Sequence, residues 1–449
     1  MALGGSARLT AQDSRLLARI ADFEKKQKSP SERVWKGFSL VSPPLLLIME
    51  KSKTSVLANL SADFSRLDGN YGFPVYLKAG TGLTKTAFYP DMPLAGTRVN
   101  ALRITGDAAD PDALGVLAEN LFLEYEKKFS FGAQPIAVGP DRLDAEALAL
   151  MYMENAALAN AALFPEKRKE YAAQFISLRE RRYARFPFLR EYEDYFERLH
   201  GSAKYVRLRA ASGAPAAALA PEPELAADLL ETFRTGDSPE NFARRRAAFT
   251  GAMQCLILDR VNPAWQGAVE QGKPLYDFLK RNLPDRNPAA LSSPGYKDML
   301  KLAQERIDTA KDSAQKLLTA FRLEQGSRLF LGFPGKLVPV ITRGSRYETS
   351  GGVLTDSAFT RYSGQELTLD IRDTVFFEDA AKNTLEVFLG VKPSLKLQLG
   401  GENFREPPEF SDFSSIEMTS GKLALLSGCS GSFSYDGKDF RVELKKCRK

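Results

Sequence analysis

Three glutamates and one histidine carry most of the chemistry this sequence could do. Glu119 stands in Ala118-Glu119-Asn120-Leu121-Phe122, which has the outline of the metal-binding helix H-E-x-x-H. In that motif two imidazoles one turn apart hold a divalent ion, and the glutamate takes a proton from metal-bound water. Here the glutamate is kept and both imidazole positions are apolar. Glu154 is the only acidic residue between Glu146 and Glu166, on a segment otherwise rich in Leu, Met and Ala. A carboxylate on so apolar a helix is predicted to be partly buried, and then needs a partner or a raised pKa. Glu197 and His200 lie one helical turn apart. Together with Glu119 and Glu154 they supply the donor types of a site for an oxygen-preferring metal such as Mn or Fe.

His200 is the only histidine among 449 residues, so sites built on two imidazoles are excluded: a two-histidine zinc centre, a C2H2 finger, a 2-His-1-carboxylate iron site. A serine triad would have to recruit the same histidine, and no G-x-S-x-G turn surrounds any serine. Gly80-Thr81-Gly82-Leu83-Thr84-Lys85-Thr86 approaches a phosphate loop, but Thr84 stands where that loop needs glycine before lysine, so a turn between strands is expected. Cys255, Cys429 and Cys447 have no C-x-x-C spacing and predict neither structural zinc nor a disulfide scaffold. Cys429 and Cys447 could bridge; separate thiols are the reading preferred from sequence.

Hydrophobic residues at 44% and charged residues at 26% describe a globular chain. The net charge of +6 is spread along the sequence, so no nucleic-acid partner is expected. The densest basic stretch, Arg179 to Arg185, reads as a solvated helix face. The first thirty residues carry Arg8, Asp13, Arg15, Arg19 and Asp22 without a continuous apolar segment, so no export signal is expected. The chain as written reads as cytoplasmic, or as exported if it is a mature form. The longest apolar run, Leu45 to Met49, is too short to span a bilayer.

Periodicity supplies the framework that holds these residues. Leu16, Leu17, Ile20 and Phe23 predict an amphipathic helix over 9–28. Short β-type runs fill 35–105: Leu45 to Met49, Thr54 to Leu60, Val75 to Lys78, Thr86 to Tyr89 and Arg98 to Thr105. Residues 111–321 read mostly as helices. Among them are an apolar stripe from Leu114 to Phe129, a helix from Ala145 to Leu163, and one from Leu189 to Leu208. On the last, Leu189, Tyr192, Phe196, Leu199, Ala203 and Val206 form the buried face and leave Glu197 and His200 toward solvent. Strand-length segments and glycine pairs take over from Gly326; most aromatics there are expected in the core. The expected fold is α+β in three parts: 1–105, an N-terminal helix and small sheet; 106–325, a helical region with an Ala/Pro-rich connection at 210–227; and 326–449, a C-terminal β domain.

Several segments, in this order along the chain, resemble bacterial gluzincin-like zinc metallopeptidases. Trp35-Lys36-Gly37-Phe38 followed by Pro43-Pro44-Leu45-Leu46-Leu47 is similar to their W-x-G-F…P-L-L-L element. His200-Gly201-Ser202-Ala203-Lys204-Tyr205-Val206 is similar to E-G-x-A-x-Y-V, with histidine in place of glutamate. Thr250-Gly251-Ala252, Leu256-Ile257-Leu258-Asp259-Arg260 and Pro263-Ala264-Trp265 are similar to T-G-A…L-L-L-D-R…P-x-W. The resemblance implies a zincin-like helical body over about 35–280. It makes Glu119 the general-base position and Ala118, Phe122 and Glu154 the vestigial ligand positions; Glu197, His200 and Tyr205 are the candidate lining of a pocket. It also implies that the Glu119 and Glu154 carboxyls approach within roughly 8 Å across a cleft.

Without the two histidines Glu154 alone does not retain zinc, which takes three or four protein ligands. Loss of the metal returns the pKa of water from about 7 to 15.7, on the order of 12 kcal/mol. The expectation is therefore a catalytically inactive relative with no zinc cofactor, binding a peptide, protein or envelope ligand. Two other readings stay open: a repurposed enzyme with a metal at Glu119, Glu154, Glu197 and His200, and a binding protein acting through its β domain.

Overall fold

The computed structural model describes residues 8–81, 88–105, 110–130, 132, 143–212, 222–231, 239–262, 264–283, 295–335, 339–349, 351–364, 366–379 and 381–446. The greater part of the near-match to a phosphate loop, the middle of the Ala/Pro-rich connection, and Cys447 lie outside them. The architecture is α+β, with an N-terminal sheet, a large helical part and a curled C-terminal sheet. It divides into two compact units, one within Met1–Val138, Glu146–Thr235 and Phe242–Leu300, the other chiefly Lys301–Lys449. The N-terminal sheet and the helices before residue 295 thus form, for the most part, one body.

In the first unit α1 (Ala11–Gln27) starts at a capping box in which Thr10 and Asp13 satisfy each other's backbone N–H groups. The strands are β1 (Leu45–Met49), β2 (Thr54–Ala58), β3 (Ser65–Arg66), β4 (Val75–Ala79), β5 (Phe88–Leu94) and β6 (Thr97–Ile104), in the order β3-β4-β2-β1-β6-β5. The two-residue β3 has no signal in the sequence. β1 lies parallel to β6 and antiparallel to β2. Every residue of β1 is buried, which accounts for its uninterrupted apolar run: a strand covered on both faces has no polar side to alternate with.

The helices are α2 (Pro111–Tyr125), α3 (Ala145–Leu163), α4 (Arg168–Arg185), α5 (Phe188–Phe196), α6 (Ser202–Ser212), α7 (Glu222–Glu231), α8 (Pro239–Val261), α9 (Trp265–Glu270), α10 (Leu275–Asn282) and α11 (Gly295–Leu323). Between α5 and α6, Glu197–Gly201 form a π-turn, so the single helix expected over 189–208 is interrupted. The extra residue shifts the facing of the side chains around it: Leu199 becomes half-exposed, and Glu197 turns inward to 1% exposure. This corrects the expectation that Glu197 faces solvent; periodicity at 3.6 residues per turn does not register a π-turn. No single helix among the described residues is long and apolar enough to cross a membrane.

The second unit holds most of α11 and β7 (Ser327–Gly332), β8 (Pro339–Thr349), β9 (Gly352–Ser363), β10 (Leu367–Asp379), β11 (Thr384–Gly390), β12 (Lys396–Leu399), β13 (Glu402–Phe404), β14 (Phe410–Phe413), β15 (Ile416–Thr419), β16 (Leu423–Ser427), β17 (Ser430–Tyr435) and β18 (Phe440–Lys446). β10 is the branch point. One edge pairs with β9 along its length; the other is shared by β16 at 367–371 and β11 at 376–379. The bend between them falls at Asp373, with φ of 45°. Inside the curl, alternate residues form an apolar core that includes Leu329, Leu369, Val387, Met418 and Phe433. Of the aromatics expected in the core, Phe376, Phe413, Phe433 and Phe440 are buried inside the curl, Phe377 and Phe388 are buried against Leu318 and Phe321 of α11, and Phe410 is 65% exposed. Cys429 is disulfide-bonded, not the separate thiol preferred from sequence, and Cys255 is a buried free thiol.

Candidate functional site

Helix α2 begins at Asp110, whose side chain caps the Asp112 N–H, followed by Pro111 in the first turn. Its stripe buries Leu114, Leu117, Ala118, Leu121 and Phe122 completely or nearly so. Ala118 is wholly enclosed. Phe122 lies among rings, its centroid 4.8 Å from Trp35, 5.2 Å from Phe38, 5.6 Å from Tyr125 and 6.1 Å from Phe129. Both positions that the H-E-x-x-H outline reserves for imidazoles are thus filled by packing. Glu119 is on the outer side of the helix, a quarter exposed, 2.9 Å from Arg207 of α6, which also clamps Asp112 at 2.6 Å.

The other segments that carry the resemblance converge on the same rings. Trp35 lies 5.2 Å from Trp265 and 6.4 Å from Tyr205, and these two are 5.5 Å apart. Beneath them Asp259 accepts from Tyr205 Oη at 3.0 Å, Arg209 Nη2 at 2.8 Å and Trp265 Nε1 at 2.9 Å. Burial pushes Asp259 above the ordinary aspartate range, opposed by Arg209. Trp35 Nε1 donates to Glu270 at 2.8 Å, and Tyr125 Oη donates to the Lys36 carbonyl at 2.8 Å. Gly37 has φ of 77°, and a Cβ there would lie 2.9 Å from that same Oη, so the glycine of W-x-G-F is required twice over. Where the π-turn crosses α8, backbone meets backbone: a Cβ on Gly201 would lie 2.5 Å from Gly251 Cα, and one on Gly251 2.4 Å from the Glu197 carbonyl oxygen. Tyr205 is fully buried in this arrangement, and His200 is half-exposed, stacked on Phe196 at 5.6 Å.

Glu154 on α3 is completely buried and has three guanidiniums around it. Arg182 Nε reaches Oε1 at 2.6 Å, Arg179 Nε reaches Oε2 at 3.1 Å, and Arg246 Nη2 bonds Oε2. Arg182 and Arg246 continue to Glu193 at 2.6 and 2.8 Å, where Tyr183 also donates at 2.9 Å. Arg179 forks onto Glu197 at 2.8 Å through both Nη atoms, and Thr250 and Gln254 complete that carboxylate at 2.6 Å each. None of these six charged side chains is more than 2% exposed. Burial by itself would raise the Glu154 and Glu193 carboxyls, but Arg182, Arg246 and Arg179 outweigh it and hold both below the usual glutamate range. Three anions and three cations balance, which is the condition under which buried charges are tolerated.

Arg179 and Arg182 correct the expectation of a solvated face; only Arg181 and Arg185, paired with Glu146, keep an outer position. The signal was present: both arginines fall on the stripe of Ala172, Phe175 and Ile176, facing the same way as α4's apolar residues. Two more carboxyls sit near this network. Glu126 is fully buried, accepts from Ser202 at 2.9 Å and is raised well above the ordinary range by burial. Asp194 is pushed up to about 7 by burial, then by Glu197 and Asp277.

Zinc does not fit the residues present. Ala118 and Phe122 offer no ligating atom, and the Glu154 oxygens are taken by guanidiniums. Glu119, Glu154, Glu197 and His200 are not assembled either: Glu119 belongs to the outer pair with Arg207, while Glu154 and Glu197 have their oxygens engaged inside. Among the described residues no three His, Cys, Asp or Glu side chains form a group that could hold a metal. Comparison with family models, curated proteins and solved structures finds no match to this chain.

Proposed function

We propose that the helical unit is a zincin-like body without peptidase chemistry, and that the chain acts by binding a peptide, protein or envelope ligand, not by cleaving one. The observation that supports this is the burial of Phe122 among Trp35, Phe38, Tyr125 and Phe129 at the place of a metal-binding imidazole. Glu119 beside it has its Oε2 engaged by Arg207 at 2.9 Å. The packing of Trp35, Gly37, Gly201, Tyr205, Gly251 and Trp265 also supports the reading, since these residues serve the core of the fold. The test is calorimetric titration of the purified chain with zinc, alongside a broad peptide-cleavage screen. The expected result is no stoichiometric zinc uptake and no cleavage. One tightly bound equivalent of zinc with chelator-sensitive cleavage overturns the reading.

A further inference from the structure

The second unit carries a groove that neither the helical core nor the proposed loss of chemistry accounts for. It runs between the last turns of α11 and the outer face of β8, β9 and β10. One end is apolar: Leu317, Ala320, Phe321 and Leu323 of α11 oppose Tyr347, Leu354 and Val375 around an open hollow of about 430 Å³. It continues into a second cavity of about 470 Å³, with which it shares Glu324, Asp356 and Val375. Both volumes fall in the range of ligand sites. Leu317 is 41% and Leu323 73% exposed, an apolar rim that water covers at a cost.

The second cavity has the opposite chemistry. Glu324, Asp356 and Asp373 line it with Ser345, Ser357 and Lys422. Lys422 is held over the Phe388 ring at 4.9 Å. None of the three carboxylates has an ion-pair partner among the described residues. In a chain of net charge +6, three anions facing one ammonium make this the reverse of the molecule's overall field. Three strands at about 4.8 Å spacing give the floor a span of roughly 10 Å, about three residues of extended chain.

We infer that this groove binds an extended peptide segment of a partner protein, one with an aliphatic residue and a Lys or Arg two or three positions apart. The aliphatic side chain fills the hollow of Leu317, Phe321, Tyr347 and Leu354. The basic side chain reaches over the shelf of Asp356, Asp373 and Glu324. Apolar burial supplies affinity, and the carboxylates select the sign of the neighbouring charge. The inference stands on the second unit alone and is unaffected if the helical unit proves to bind zinc.

The test is selection of a random decapeptide library on the full-length chain, followed by anisotropy titration of an enriched peptide made with a fluorescent label. Enrichment of aliphatic residues with Lys or Arg is expected. Asp356→Lys with Asp373→Lys, and separately Leu317→Asp with Leu323→Asp, are each expected to weaken binding about tenfold or more. All four positions are exposed, and unchanged thermal unfolding checks that the variants fold. No enrichment, enrichment of acidic peptides, or binding indifferent to both double variants overturns the inference. So does self-association in sedimentation that Leu323→Asp abolishes in the absence of peptide binding, which would assign the groove to a second copy.

Discussion

At the centre of the helical unit Glu154, Glu193 and Glu197 face Arg179, Arg182 and Arg246, tying α3, α4, α5, the π-turn and α8 by directional bonds. At the centre of the β unit Leu329, Leu369, Val387, Met418 and Phe433 meet without a charge among them. An apolar core loses stability in proportion to the volume removed. An ionic core behaves differently, because deleting one charge leaves its partners buried and uncompensated. The helical unit is therefore specified by a few residues whose loss is disproportionate, and the β unit by many whose losses are graded.

The strongest challenge to this contrast is Arg182→Ala, which strands Glu154 and Glu193 and is expected to cost about 3–5 kcal/mol. Urea unfolding followed by tryptophan fluorescence measures it in the right place, since the only two tryptophans, Trp35 and Trp265, both lie in the helical unit. A loss under about 1 kcal/mol would mean the network does not hold the unit together. Leu369→Ala in the β core is expected to cost about 2–5 kcal/mol, read by hydrogen exchange of strand amides, with the tryptophan transition unmoved. An equal shift in both readouts would erase the contrast by showing a single cooperative block.

Titration separates the two units further. The Glu154 and Glu193 pKa values are depressed in the folded chain, so their contribution is present above the unfolded value of about 4.3 and is lost as pH falls below it. Asp194 has the opposite sign: raised to about 7, it contributes stability that is full below about 3.9 and is lost as pH rises through 7. From these three groups the helical unit should be most stable at about pH 4 to 5, and Asp194→Asn should move that optimum upward, measured by tryptophan-detected urea unfolding across pH. An optimum that stays put in the variant contradicts the assignment. The smallest expected effect is Glu119→Gln. Its outer pair with Arg207 is worth under about 1 kcal/mol, so a midpoint change larger than that would give Glu119 a role in the fold that its position does not suggest.

Much of the fold was legible from periodicity. The helices over 9–28 and 145–163, β1, and the passage into strands near 326 follow from apolar spacing, which reports one buried face per element. The candidate site was legible in composition and less so in geometry. Glu154 reads as a buried carboxylate in need of a partner, yet its partners come from Arg179, Arg182 and Arg246, and the first two stand in a stretch that looks like a solvated surface. Glu197 was misplaced by a π-turn that inserts one residue where Gly201 must touch Gly251.

The residue order is enough to exclude two-imidazole chemistry, because a single histidine cannot supply it, and to lay down the alternation that builds the curled sheet, because period-two burial is a local property. It took the folded chain to fix which arginine meets which glutamate, to close a ring cluster of Phe122 with Trp35, Phe38, Tyr125 and Phe129, and to set Leu317 and Asp356 along one groove. Those pairings depend on where distant helices and strands cross. Ion pairs and grooves are set by positions in space, which the order of residues along one element does not encode.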